Sequence, residues 1–458
     1  MKSLLQKKEN RSKKIIALID GDHFPEVTGD AVRLLKSYFT GTFSGIIFLG
    51  GTEKFILDDL EGYFKEKVYI INDLDSDFCS ALKYFKPDIA YDLSDEPIVD
   101  YKVRMKIASF CMANECSYMG PDFLFNWEKR NISISKKTLS IIGTGKRIGK
   151  TAISSYIAKI LSGENIKVSI VAMGRGGPKK PLLIRGNEID ITAEYLLELN
   201  SRGLHASSDY IEDALLSKIT TIGCRRCGGG FAGKIFMTNL EEGIRIAEKL
   251  DSELVIIEGS GASIPGIDTD STICVIGAFQ DWDSLIGYLG IYRIMLADMI
   301  ILTMCEEPLA DRSKIEALES NIRKYNPDAD IIRTVFRPKP LSSIRGKKIF
   351  LGMTADRKIE HNIRDHLEGK YGCRIIRASF NLSKRDILIK ELNGSPDFDM
   401  ILTELKAAAV DVLTEYASQN KKGISYIDNI PVIIDKNRDF KGSLIKLLKK
   451  ESMLHEHK

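Results

Sequence analysis

The chain has 458 residues, 44% of them apolar and 28% charged, with a formal net charge of +3. That length implies several domains with sizeable cores, and so small a charge gives no argument for a nucleic-acid partner. No apolar run reaches membrane-spanning length, because the best stretch, 284 to 305, is broken by Arg293 and Asp298.

Residues 1–14, MKSLLQKKENRSKK, form a basic arm without the long apolar segment of a secretory signal. The eight cysteines are scattered, several of them in apolar stretches, which fits reduced thiols and a cytoplasmic setting. From Ile15 to about residue 135 apolar strands alternate with helical segments. Strands are expected at Ile15–Ile19, at Gly45–Leu49 and around Ile89, with a helix from Asp30 to Tyr38. This is the pattern of a parallel α/β domain. Asp20 and His23 follow the first strand, where open α/β sheets bind ligands, although capping of the loop is the plainer role.

A second domain is expected over 136–345, organised around LSIIGTGKRIGKT. Leu139, Ile141 and Ile142 read as a buried strand, and Ala152 to Leu161 has helical spacing of apolar residues. Between them lie Gly143, Thr144, Gly145, Lys146, Arg147, Ile148, Gly149, Lys150 and Thr151. Strand, glycine loop, Lys-Thr and helix is the layout of a phosphate-binding loop. Backbone N–H groups and the helix N-terminus would cradle phosphate oxygens, Lys150 would reach the β- and γ-phosphates, and Thr151 would face Mg²⁺. The spacing is GxxxxxGKT, with the first glycine one position earlier than usual. Further strands are expected at 167–173, 253–257, 272–276, 299–303 and 331–335. The second pillar of the site is Glu258, an acid closing the apolar strand 253–257, a position that holds Mg²⁺ or orients a water in phosphate-loop folds. The segment 205–234 reads as irregular and glycine-rich. It carries Arg225 and Arg226 and a Cys224–Cys227 pair that lacks the second pair of a zinc ribbon. His205 is the nearest histidine for acid–base work, with a surface role the plainer one. A charged link at Arg345–Lys348 opens a C-terminal α/β region, 346–458, ending in a lysine-rich tail.

GTGKRIGKT and VIIEGSGA resemble the nucleotide motifs of dethiobiotin synthetase and its relatives in the signal-recognition/MinD class. The resemblance implies ATP, with Mg²⁺ on Thr151, Glu258 and Asp190. It also implies a cation after the second strand, a position taken here by Arg175 where the class has lysine. IALIDGDHFPEVTGDAV, MGRGGPKKP, GCRRCGGGFAGK and VIIEGSGASIP together are similar to the cyclic 2,3-diphosphoglycerate synthetase family over most of the chain. That likeness implies a cytoplasmic homodimer that uses ATP, Mg²⁺ and a monovalent cation such as K⁺. Its substrate would be 2,3-bisphosphoglycerate, with no nucleic-acid or membrane partner. Lys146, Lys150, Arg175, Arg225 and Arg226 are then the catalytic candidates. Lys179, Lys180, Arg185 and Lys234 are further basic residues on nearby glycine-rich or irregular segments. Two other readings stand beside it: a ligase of the same class acting on another acid, and a MinD-like switch. The switch proteins carry a signature lysine where this chain has Gly145, with Lys146 out of register.

Overall fold

A computed structural model describes residues 13–51, 54, 59–435 and 438–449. Most of the basic arm and the end of the lysine-rich tail lie outside the described residues. The described chain forms two compact units.

The first unit runs through Arg130 and also takes in 281–296 and 321–327. Its strands are β1 (Lys14–Ile19), β2 (Thr42–Phe48), β3 (Val68–Ile70), β4 (Ile89–Asp92), β5 (Ser117–Met119) and β6 (Leu124–Phe125). They pair in the order β3-β2-β1-β4-β5-β6, parallel except for the last pair. Ile15 to Ile19 are buried without alternation, as expected of a strand covered on both faces. The stretch 136–345 is therefore interrupted twice. The short helices Trp282–Gly287 and Gly290–Met295 pack on the helix Tyr101–Ala113 of the first unit. Arg293 lies fully buried there, its guanidinium donating to the carbonyls of Tyr288 and Leu289 at 2.7 and 3.0 Å. Asp20 is spent on local structure: its carboxylate accepts from the N–H groups of Asp22 and Asp95 and pairs with the His23 ring at 3.2 Å.

The second unit holds one 13-stranded sheet. Its nucleotide-loop half contains β7 (Lys137–Gly143), β8 (Val168–Gly174), β9 (Leu182–Arg185), β10 (Thr220–Gly229), β11 (Ile235–Thr238), β12 (Leu254–Glu258), β13 (Ser271–Gly277) and β14 (Met299–Thr303). The remainder is β15 (Asp330–Pro340), β16 (Lys348–Gly352), β17 (Arg374–Ser379), β18 (Met400–Glu404) and β19 (Gly423–Ile433). The order is β11-β10-β8-β12-β7-β13-β14-β15-β19-β18-β16-β17, with β9 on β10. β15 joins the halves: its first residues run parallel to β14 and the rest antiparallel to β19. The C-terminal region thus continues the sheet of the nucleotide-loop region.

One expectation is corrected here. Arg225 and Arg226 sit on β10, not in an irregular loop. β8 and β9 supply main-chain partners for β10 on either side, and Gly223 lies where a Cβ would fall 2.3 Å from the Tyr210 ring. The glycine there permits close packing within a strand.

Candidate active site

β7 ends at the phosphate-binding loop, and helix α1 (Lys150–Gly163) starts directly after it. Ile153, Ile157, Ala158 and Leu161 on its inner face are all buried at 1% exposure or less. Gly149 precedes the helix with φ of +88°, a left-handed conformation that suits glycine, and a Cβ there would fall 2.2 Å from the Phe336 ring. The loop is anchored by the Thr144 hydroxyl donating to Gln280 Oε1 at 2.6 Å and the Thr303 hydroxyl to the Ile148 carbonyl at 2.8 Å. Lys150 is buried and folds back to donate to the Gly145 carbonyl at 2.8 Å. Burial pushes its ammonium down to about 8, against the pull of Glu258 and Asp209.

β12 carries Glu258 to the same point. The Thr151 hydroxyl donates to Glu258 Oε1 at 2.9 Å. Glu258 Oε2 is buried without a hydrogen-bond partner. Burial raises the affinity of this carboxyl for a proton, and so does Asp209, while the neighbouring Asp213 and the bond from Thr151 oppose the shift. An orphaned carboxylate oxygen beside a threonine hydroxyl is a donor set suited to a hard cation such as Mg²⁺. Among the described residues no cluster of three His, Cys, Asp or Glu could hold a metal unaided.

The second acidic contribution comes from helix α2 (Asp209–Ser217), which packs on α1. Asp209 lines the cavity, and Asp213 is fully buried with Oδ1 accepting from the Ser155 hydroxyl at 2.9 Å. Burial and the neighbouring Glu258 hold the Asp213 carboxyl well above the usual range. Asp190, expected as a third metal ligand, is placed elsewhere: its carboxylate is 99% exposed and lies 3.7 Å from Lys218. It precedes a helix that does not lead to the loop, and Asp209 and Asp213 stand where an acidic partner of Glu258 was expected.

A cavity of about 410 Å³ opens over the loop. Lys146, Arg147, Lys150, Thr151 and Arg175 reach its wall from the loop side. Arg147 donates to the Ser383 hydroxyl at 2.9 Å. Arg226 is buried, its guanidinium donating to the Ser260 carbonyl at 2.7 Å. The Nη2 atoms of Arg175 and Arg226 lie 3.0 and 3.2 Å from where a side chain on Gly261 would begin, so the two cations flank the turn after Glu258. Arg225 is not brought to this pair. Neighbouring strand residues face opposite ways, and the Arg225 backbone is held by Asn239 and Thr238. Lys179, Lys180, Arg185 and Lys234 are exposed and His205 is exposed too. Cys224 is buried under the helix Leu240–Glu248 and Cys227 is exposed, so the two thiols do not form one site.

No motif or spacing pointed to a further wall of the cavity. Lys406, just past β18, enters the cavity and meets Glu212 Oε1 at 3.2 Å. Glu212 is buried, and burial pushes its carboxyl up to about 8 although Lys406 opposes the shift. The one available signal was compositional: Glu212-Asp213 is an adjacent acidic pair flanked by the apolar Tyr210-Ile211 and Ala214-Leu215-Leu216.

Three family descriptions match successive parts of the chain: cyclic 2,3-diphosphoglycerate synthetase N-terminal domain over 14–126, its P-loop domain over 138–335 and its C-terminal domain over 340–430. A cyclic 2,3-diphosphoglycerate synthetase from Methanothermus fervidus is 44% identical over 434 residues, covering 93% of this chain and 94% of its own. Those from Rubrobacter xylanophilus and Methanothermobacter thermautotrophicus are each 41% identical, covering 95% and 93% of this chain and 97% and 93% of their own. With a phosphate-binding loop, a Thr151–Glu258 pair and a basic flank at Arg175 in place, this chain belongs to the cyclic 2,3-diphosphoglycerate synthetase family.

Proposed function

We propose that this protein is an ATP-dependent synthetase that closes a phosphoanhydride ring between the two phosphates of 2,3-bisphosphoglycerate, giving cyclic 2,3-diphosphoglycerate, ADP and phosphate. The full-length likeness to synthetases of that name carries the reading. In the reaction one substrate phosphate attacks the γ-phosphorus of ATP, and the β–γ bridge breaks to release ADP. The second substrate phosphate then attacks the phosphorus of the first, and inorganic phosphate leaves as the ring closes.

The chain's own part is positioning and charge neutralisation. Lys150 turns from the Gly145 carbonyl to the β- and γ-phosphates. Arg175 and Arg226 offset the repulsion between phosphates brought together beside Gly261, and Lys406 adds a cation from the opposite wall. Thr151 and Glu258 would hold Mg²⁺, which when bound supplies charge stabilisation at the phosphate oxygens. The first unit and the exposed residues Phe231, Phe236 and Met237 on the β10–β11 hairpin leave ample surface for the homodimer we assign. The eight free cysteines support the cytoplasmic placement. None of the described helices is long and apolar enough to cross a membrane.

The test is incubation with ATP, Mg²⁺ and 2,3-bisphosphoglycerate, followed by phosphorus NMR. The expected outcome is one ADP and one phosphate per cyclic product. ATP turnover indifferent to 2,3-bisphosphoglycerate, or a product formed only with another acid, would overturn the reading.

A further inference from the structure

Of the cations lining the cavity among the described residues, Lys146, Arg147, Lys150 and Arg175 belong to the nucleotide-loop half of the sheet. Lys406 alone comes from the C-terminal half, just past β18. Its ammonium lies 3.2 Å from Oε1 of the buried Glu212. Burial works against the charge on Lys406, and the surrounding acids Glu212, Glu404 and Asp209 outweigh it. Asp209 and Glu212 are three residues apart on helix α2, so they share a face and lie about 4.5 Å apart along its axis. Lys406 is therefore held less than one turn from Asp209, which lines the cavity with Glu258 and Lys150.

Two features set this pair apart from a fixed strut. Other ion pairs of the same unit are doubly bonded. Arg337 reaches both oxygens of Glu306 at 2.7 and 2.8 Å, and Arg333 reaches both of Glu319 at 2.6 Å. Glu212 offers Lys406 one oxygen, and its Oε2 is buried without a hydrogen-bond partner. A buried oxygen left unpaired costs free energy, so the pair is a loose one. The backbone beside Lys406 is also strained. Ala407 has φ of +48°, a left-handed conformation that alanine disfavours, and a π-helix, Ala409–Thr414, follows. Both features concentrate at functional sites.

We propose that Glu212 is a positioning residue that holds Lys406 away from the phosphates until 2,3-bisphosphoglycerate arrives, and so couples ATP turnover to ring closure. The proposal rests on the reading of the protein as the cyclising synthetase. ATP alone places its γ-phosphate beside Lys150. The acid substrate brings two more phosphates and a carboxylate. That added negative charge draws the ammonium off Glu212, because the attraction grows with the charge while the single contact to Glu212 stays the same. Lys406 then neutralises charge at the phosphorus under attack. Without Glu212 the ammonium reaches the γ-phosphate before the substrate does. Water then attacks the γ-phosphorus, the β–γ bridge breaks, and ADP and phosphate leave with no ring formed.

The experiment compares wild type, Lys406→Met, Lys406→Arg and Glu212→Met by steady-state kinetics with and without 2,3-bisphosphoglycerate, and by phosphorus NMR of the products. Lys406→Met should lower kcat for coupled turnover by about 10²-fold, the size of one lost transition-state donor, with KM for ATP within about threefold of wild type. Lys406→Arg keeps the charge and should recover part of the rate. Glu212→Met removes the acceptor between apolar neighbours, and circular dichroism checks its fold. It should raise substrate-independent ATP turnover by about tenfold and release more phosphate than cyclic product. A merely structural role would lower both activities together. The two variants at half-buried 406 make the test independent of how well the buried 212 position accepts methionine. Unchanged kcat in Lys406→Met, or one phosphate per cyclic product in Glu212→Met with no extra turnover, overturns the proposal. If wild type makes cyclic product in the same assay, the proposed function survives that result. Wild type that makes none removes the proposed function and this proposal with it.

Discussion

Glu212→Gln tests the buried carboxyl behind Lys406 in a way that separates two opposed forces. Glu212 is buried at 4% exposure with Lys406 at 3.2 Å, so burial favours the neutral acid and Lys406 favours the anion. Burial wins, leaving the carboxyl at about 8 against an ordinary 4.5. Between those two values the folded chain keeps a proton that the unfolded chain has released. Stability then declines as pH rises through that window, with a slope of about 1.4 kcal/mol per pH unit and a ceiling of about 5 kcal/mol. Glutamine keeps the size and the acceptor but cannot ionise, so the variant loses this slope. Urea denaturation of both proteins from about pH 5 to about pH 9 reads the difference. Glu212→Gln should gain on wild type steadily as pH rises and hold its lead above about 8. A difference that does not change with pH would remove Glu212 as a titrating group. A difference of opposite sign would show that Lys406 outweighs burial and that the pair is ionic throughout.

Lys150→Ala should abolish ATP turnover while circular dichroism and thermal denaturation show the fold intact; turnover near the wild-type rate would refute the loop assignment. Glu258→Gln should lower the rate by about 10²-fold or more, with partial rescue by higher Mg²⁺. Asp190→Asn, a fully exposed position, should leave both rate and Mg²⁺ dependence unchanged in the same titration. Arg226→Ala should cut kcat/KM for 2,3-bisphosphoglycerate by about 10²-fold. Arg225→Ala, on the other face of β10, should cost much less, and equal losses in steady-state kinetics would contradict the strand geometry.

The sequence made the nucleotide loop readable because its chemistry is local. Gly149, Lys150 and Thr151 are consecutive, and the strand before them and the helix after them announce themselves by apolar spacing. Glu258 was legible for the same reason, an acid at the end of an unbroken apolar run. The expectation of Asp190 as a ligand, where the structure brings in Asp209, shows where local reading stops. Both acids stand just ahead of or at the start of a helix, and nothing in either stretch says which helix packs on α1. Only the tertiary contact of α2 with α1 decides it. The pair Arg225 and Arg226 failed differently. Five nearby glycines argue for a loop when β10 is taken alone, yet β8, β9 and β11 each hydrogen-bond to it and turn the segment into sheet. Pairing partners outweigh strand propensity.

The far wall of the cavity was out of reach for a third reason. Met304, Phe336, Met353, Glu404 and Asn429 come from five separate stretches of chain, and no spacing connects them. What brings them together is the reversal at β15. Its first half extends the parallel sheet that ends in the nucleotide loop. Its second half pairs antiparallel with β19, setting Pro338 opposite Asn429. β18 in turn pairs with β19 so that Glu404 falls opposite Ile427, and β16 pairs with β18. One strand therefore carries the Phe336 ring to the loop and, through its neighbours, sets Thr354, Glu404 and Asn429 beside the same cavity. On this account the C-terminal region belongs to the nucleotide site as fully as the glycine loop does. A substitution that loosens the β15–β19 pairing should weaken nucleotide binding even though it touches neither Lys150 nor Glu258. Pro338 is the informative position. It lines the cavity and pairs with Asn429 across the β15–β19 ladder, two residues after Phe336, so a change there reaches both through the sheet.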